Sequence, residues 1–109
     1  MQNNLNQRLK QYKEAKMLPE KLSELHYNLA YDYGLMSDYY SDQLAVWTTV
    51  KRELTDKFKT VAAAEREFDQ SEFGIEEQRI KLYLKAVEKL LAGVKLRLQT
   101  LSEEAKNQY

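Results

Sequence analysis

Residues 80–101 read IKLYLKAVEKLLAGVKLRLQTL, and the apolar positions in this stretch decide the fold. Ile80, Leu84, Val87, Leu91, Val94, Leu98 and Leu101, followed by Ala105, recur at alternating steps of four and three. That spacing is an a/d heptad seam, and so narrow an apolar stripe on a long helix must be covered by another helix. Leu82 and Leu96 fall outside it. With Ile80 at 0°, they project at about 200° and 160°. Leucines on the outer face of a helix pair call for a second contact, and self-association is the simplest one.

Upstream of the seam, Gln70-Ser71-Glu72-Phe73-Gly74 reads as a turn. Gly74 can take a left-handed, helix-terminating conformation, and Ile75-Glu76-Glu77 puts acids in the first turn of the next helix. A helix is expected over about 75–106. Before the turn, Leu22, Leu25, Leu29, Tyr33, Met36, Tyr40, Leu44, Trp47, Val50, Leu54, Phe58, Val61 and Phe68 advance by threes and fours until a gap at Glu65. This predicts one helix over about 20–70, ~75 Å long at 1.5 Å per residue. Gly34 is its weak point, where it could kink or end after Tyr31-Asp32-Tyr33, with Ser37 capping a new helix. Leu18-Pro19 separates it from a first helix over about 3–16, because proline disfavours helical geometry in the preceding residue and suits a first helical position. A short turn between long helices makes them antiparallel neighbours. The expected fold is all-α: a long, coiled-coil-like antiparallel helical hairpin with a short N-terminal helix, one domain over 1–109, oligomeric.

Composition agrees with this class. Three glycines and one proline in 109 residues favour a few long elements. There is no cysteine, so disulfides, thiolate metal sites and a cysteine nucleophile are excluded. The N-terminal MQNNLNQRLKQYKEAK lacks the apolar core of a signal peptide, and no apolar run approaches the ~20 residues that span a bilayer. The expected location is a bacterial host cytoplasm, with no membrane partner. Net charge is zero, but residues 1–19 carry four basic groups against Glu14, and residues 20–50 carry Lys21 against Glu20, Glu24, Asp32, Asp38 and Asp42. A strongly basic nucleic-acid-binding domain would be more lopsided. Binding to an anion would have to come from a local patch or from repetition in an oligomer.

Little in the chain suggests catalysis. His26 is the single histidine and has no nucleophile, metal ligand or orienting carboxylate on its own helix face. It reads as a solvated or interfacial residue. Glycine-rich phosphate loops and metal-ligand spacings are absent, so no enzyme, no metal and no cofactor are expected. Two clusters could bind a partner. Tyr27 and Tyr31 lie four apart on a face distinct from the core stripe, and suit either a subunit interface or the stacking of single-strand bases. Lys81, Lys85 and Lys89 fall at four-residue steps on the outer face of the last helix, with Lys51, Arg52, Lys57 and Lys59 on the facing one. They read either as solvated surface or as a phosphate track, which repeated copies would strengthen by avidity.

The order of parts resembles the UvsY-like recombination mediators of tailed phages. The residues that carry the likeness are Gly34-Leu-Met-Ser-Asp-Tyr-Tyr40, Trp47-Thr-Thr-Val-Lys-Arg-Glu-Leu54 and Lys57-Phe-Lys-Thr-Val-Ala-Ala-Ala-Glu-Arg66, then Ile80, Tyr83, Leu90 and Leu91. The likeness spans about 30–105. It implies a helical protein that assembles into rings, binds single-stranded DNA and helps load a recombinase onto strands covered by single-strand-binding protein. The implied DNA contacts fall on Lys51, Arg52, Lys57 and Lys59, with the last helix serving assembly. The competing reading is a phage scaffold or a coiled-coil adaptor, which would need only the seams.

Overall fold

The computed structural model describes residues 1–107, and over them the chain is all-helical. It runs α1 (Gln2–Ala15), α2 (Pro19–Phe58), α3 (Val61–Gln70) and α4 (Glu72–Asn107). No helix among the described residues is long and apolar enough to cross a membrane. The chain divides into two compact units, one formed by Met1–Leu35 with the stretch from Tyr83 onward, the other by Met36–Leu82.

The helix expected over 20–70 is two helices, and the break lies at Lys59-Thr60 rather than at Gly34. Lys59 ends α2 in the left-handed region, with φ 62°, and its amide still donates to the Thr55 carbonyl. Thr60 is extended and caps α3, its Oγ1 accepting from the Ala63 amide at 3.2 Å. Threonine at such a position satisfies one of the donors a helix start leaves free. The apolar spacing also changes there. Val61 is exposed, and Ala64 and Phe68 carry the buried face of α3. Gly34, by contrast, lies inside an unbroken helix, and Ser37 caps nothing there.

The α3–α4 junction is a single residue. Ser71 Oγ donates to the Phe68 carbonyl at 2.6 Å and accepts from the Gly74 amide at 3.3 Å, ending one helix and capping the next. Gly74 is helical and not left-handed as the sequence suggested. Its role is close approach. A Cβ built there would sit 2.0 Å from the Phe68 carbonyl oxygen.

In the unit that joins the chain's two ends, Leu22, Leu25 and Leu29 of α2 and Tyr83, Val87, Leu90 and Val94 of α4 are buried. Fully burying one such side chain stabilises by roughly 1.5–3 kcal/mol. Tyr33 donates to Glu88, and Ser23 and His26 line a shallow hollow with Lys95 and Leu98, so residue numbers fall along α4 as they rise along α2. The buried positions Ile80, Tyr83, Val87, Leu90 and Val94 also advance by threes and fours, so the seam is displaced to the Tyr83 and Leu90 side of the expected one. Leu84, Leu91, Leu98 and Leu101 are only half-buried, and Ala105 is exposed. The reason is α1, which covers the Tyr83 flank: Asn4 donates to the Tyr83 hydroxyl at 2.7 Å, and the Tyr12 hydroxyl lies beside Gly93.

In the Met36–Leu82 unit, Trp47 is the largest fully buried side chain, with Tyr40 set edge-on to it at 5.3 Å between ring centroids. Phe68, Ala64 and Ile80 complete that core.

Candidate nucleic-acid interface

The seven basic residues singled out as DNA contacts meet different fates. Lys51 and Lys81, both in the Met36–Leu82 unit, converge on Glu77. Lys81 Nζ lies 2.7 Å from Oε1, and Lys51 Nζ lies 3.4 Å from Oε2. Lys51 also stands 4.6 Å above the Phe68 ring. Glu77 is only 9% exposed. Burial alone would raise its pKa, but the hydrogen bond from Lys81 and the charge of Lys51 more than offset that and hold it below the usual carboxylate value. The same hydrogen bond pulls Lys81 above the ordinary lysine value. Both ammonium groups pair with this one carboxylate, while the two lysine side chains stay about half exposed, at 50% and 56%.

Arg52, Lys57 and Lys59 are exposed, and no ion pair among the described residues involves them. They do not share one helix face. Arg52 and Lys57 are five residues apart and so project about 140° from each other. The Lys57 ammonium rests 5.5 Å from the Phe58 ring, and Lys59 leaves the helix at the break. Together they surround the C-terminal end of α2 rather than lining a track. Lys85 and Lys89 belong to the other unit, exposed one turn apart on α4.

The four residues named for self-association are all exposed: Tyr27 by 71%, Tyr31 by 59%, Leu82 by 65% and Leu96 by 65%. Leu35, one turn beyond Tyr31, extends that α2 face at 55%. Tyr33 and Tyr39 donate to Glu88 and Glu76, and both phenols are raised above the usual tyrosine pKa by those hydrogen bonds.

Sequence reading missed the polar contacts that dock α1. Arg8 grips Asp32 with two bonds, Nε to Oδ2 at 2.7 Å and a terminal nitrogen to Oδ1 at 3.3 Å. The Asp32 hydrogen bond raises the Arg8 pKa. Tyr83, beside them, is raised chiefly by burial. At the other end of α1, Arg97 donates from Nε to the Lys16 carbonyl at 2.9 Å and reaches the Met17 sulfur. Arg97 therefore takes part in the docking of α1. One signal was available. Arg8 sits between Leu5 and Tyr12, and Asp32 beside the Leu25–Leu29 stripe, so each charge borders an apolar face where it needs a partner.

His26 lines the Ser23–Lys95–Leu98 hollow with no carboxylate among its neighbours there. Among the described residues, no group of three acids or histidines is placed to hold a metal ion. No family model, no curated protein and no solved structure matches the chain.

Proposed function

We propose that this chain is a non-enzymatic DNA recombination accessory protein: a self-associating helical hairpin that binds single-stranded DNA and helps load a recombinase beside single-strand-binding protein, in a bacterial cytoplasm. The observation that carries the DNA reading is the trio of exposed cations at the end of α2, Arg52, Lys57 and Lys59, with no carboxylate paired to any of them among the described residues. Guanidinium and ammonium groups held at a surface exchange counterions for phosphate oxygens without regard to base sequence. Three cations per copy make weak binding, and repetition in an assembly multiplies it. Exposed Leu82, Leu96, Tyr27 and Tyr31 support assembly, and the opposed numbering of contacts along α2 and α4 supports the hairpin.

Fluorescence anisotropy of a labelled oligonucleotide tests the reading. Affinity is expected to fall with salt at a log–log slope of about −0.7 per phosphate contacted. It should also drop when Arg52, Lys57 and Lys59 become alanine. No binding at low salt would refute it. The adaptor reading, in which the chain only joins other proteins, is favoured by one observation. The tyrosine face of α2 is flanked by Glu20 and Glu24, which repel a phosphate backbone.

A further inference from the structure

Two exposed faces in the unit that joins the chain's ends carry opposite charge. On α2, Glu20, Glu24, Tyr27, Tyr31 and Leu35 follow one another at steps of four, three, four and four, and all five are exposed. Their side chains fall within about 80° of arc, so they form one stripe turned away from buried Leu22, Leu25 and Leu29. On α4, Lys85, Lys89, Ala92 and Leu96 follow at steps of four, three and four and are likewise exposed. They span about 60° of arc and face away from Val87 and Val94. The first stripe is acidic at its start and aromatic beyond. The second is basic at its start and apolar beyond.

The two stripes share a spacing. A constant offset of 65 residues sets Glu20 on Lys85, Glu24 on Lys89, Tyr27 on Ala92 and Tyr31 on Leu96. Two acids meet two bases, one ring meets a small side chain and the other a leucine. We propose that these stripes are the two halves of one self-contact, in which α2 of one copy lies parallel to α4 of a second copy in this register. The proposal rests on the self-association part of the function above and not on DNA binding. It has two consequences. Lys85 and Lys89 are spent on the neighbouring copy, which leaves the phosphate contacts to Arg52, Lys57 and Lys59. Each copy also keeps one free face of each kind, so the contact is heterologous and propagates beyond a dimer.

Parallel direction is the discriminating claim. The parallel register gives two opposite-charge pairs against one like pair, Asp38 on Glu103, whereas running α4 the other way with Tyr27 on Leu96 sets Glu20 on Glu103 and leaves Asp38 on Lys85 as its opposite-charge pair.

Charge exchange tests the contact, read by light scattering with gel filtration at fixed concentration. Glu20→Lys with Glu24→Lys should weaken assembly by more than about tenfold, because like charges then face each other. Lys85→Glu with Lys89→Glu should do the same. Combining all four changes in one chain, or mixing the two double variants, should restore assembly. Circular dichroism of each variant separates lost contact from lost fold. A wild-type chain that stays monomeric at all concentrations would overturn the proposal. So would intact assembly in the Glu20→Lys, Glu24→Lys variant, or failure of the four-change chain to recover. Disruption by Asp38→Lys with no effect at Glu20 and Glu24 overturns the parallel register. Anisotropy on the same samples keeps the two readings apart: a monomer that binds oligonucleotide refutes the self-contact alone, and an assembly that binds none refutes the DNA function alone.

Discussion

Gly34→Ala and Gly74→Ala are the same change at two helical glycines, and they should move stability in opposite directions. Alanine is favoured over glycine inside a helix by about 0.8–1 kcal/mol. At Gly34 a Cβ would meet nothing within 4 Å, so that gain is realised in full. At Gly74 the Cβ would lie 2.0 Å from the Phe68 carbonyl oxygen and 2.7 Å from the Asp69 Cα, both backbone atoms that cannot swing aside. To admit it, α3 must move off the first turn of α4, breaking the Ser71 bonds that join them. Overpacking costs typically 1–3 kcal/mol, and loss of a cap adds about 1. Net of propensity, Gly74→Ala should lose about 2 kcal/mol. At roughly 4–8 °C per kcal/mol for a domain near this size, the expected shifts are about 4–8 °C upward for Gly34→Ala and about 8–16 °C downward for Gly74→Ala. Thermal melts by circular dichroism at one protein concentration read both. A Gly74→Ala protein as stable as wild type would refute the close approach of α3 to α4, and a destabilised Gly34→Ala would refute the open outer face of α2.

Lys59→Gly should raise the melting temperature, since glycine adopts φ 62° without the roughly 1–2 kcal/mol a side chain incurs there, less about 0.4–1 for its freer unfolded state; Lys59→Ala keeps the strain and should not. Denaturant titration should give Leu29→Ala a loss of about 2–5 kcal/mol and Leu82→Ala far less in the dissociated chain, because the first is fully buried and the second exposed; equal losses would mean that α4 faces the other way. Glu77 titrates below its ordinary value, so its stabilisation is complete above the unfolded carboxylate pKa and fades as pH falls through the lower folded one. Melts should therefore lose stability below about pH 4.5 more gently in Glu77→Gln than in wild type, and parallel curves would show that the two lysines do not hold that carboxylate charged.

Apolar spacing was the legible part of this sequence. It located α1 and α4 to within a few residues, and it placed Leu22, Leu25, Leu29, Trp47 and Ile80 in the core, where they are buried. It failed where a stripe crosses a break without losing its rhythm. Phe58 and Val61 are three apart whether or not a helix joins them, and only Thr60 ahead of an alanine run marks the cap. A three-four rhythm also says nothing about how many partners a helix has, which is why the Tyr83 and Leu90 flank of α4 went unread until α1 covered it. The basic residues were found by number and helix face, but their pairing was not. Glu77 lies 26 residues from Lys51, and spacing on one helix cannot show a meeting with another.

The division of the chain into two units imposes an order on its synthesis. Met36–Leu82 is contiguous, so its partners are all present once Leu82 has left the ribosome. The other unit needs residues from both ends, and Arg97 must reach back across 81 positions to the Lys16 carbonyl. At about 5–20 residues per second, Leu22, Leu25 and Leu29 wait several seconds before Val87 and Val94 exist to cover them. Long sequence separation of this kind slows closure as well. The nascent chain thus has every partner of the Met36–Leu82 unit in hand while Leu22, Leu25 and Leu29 still wait for theirs.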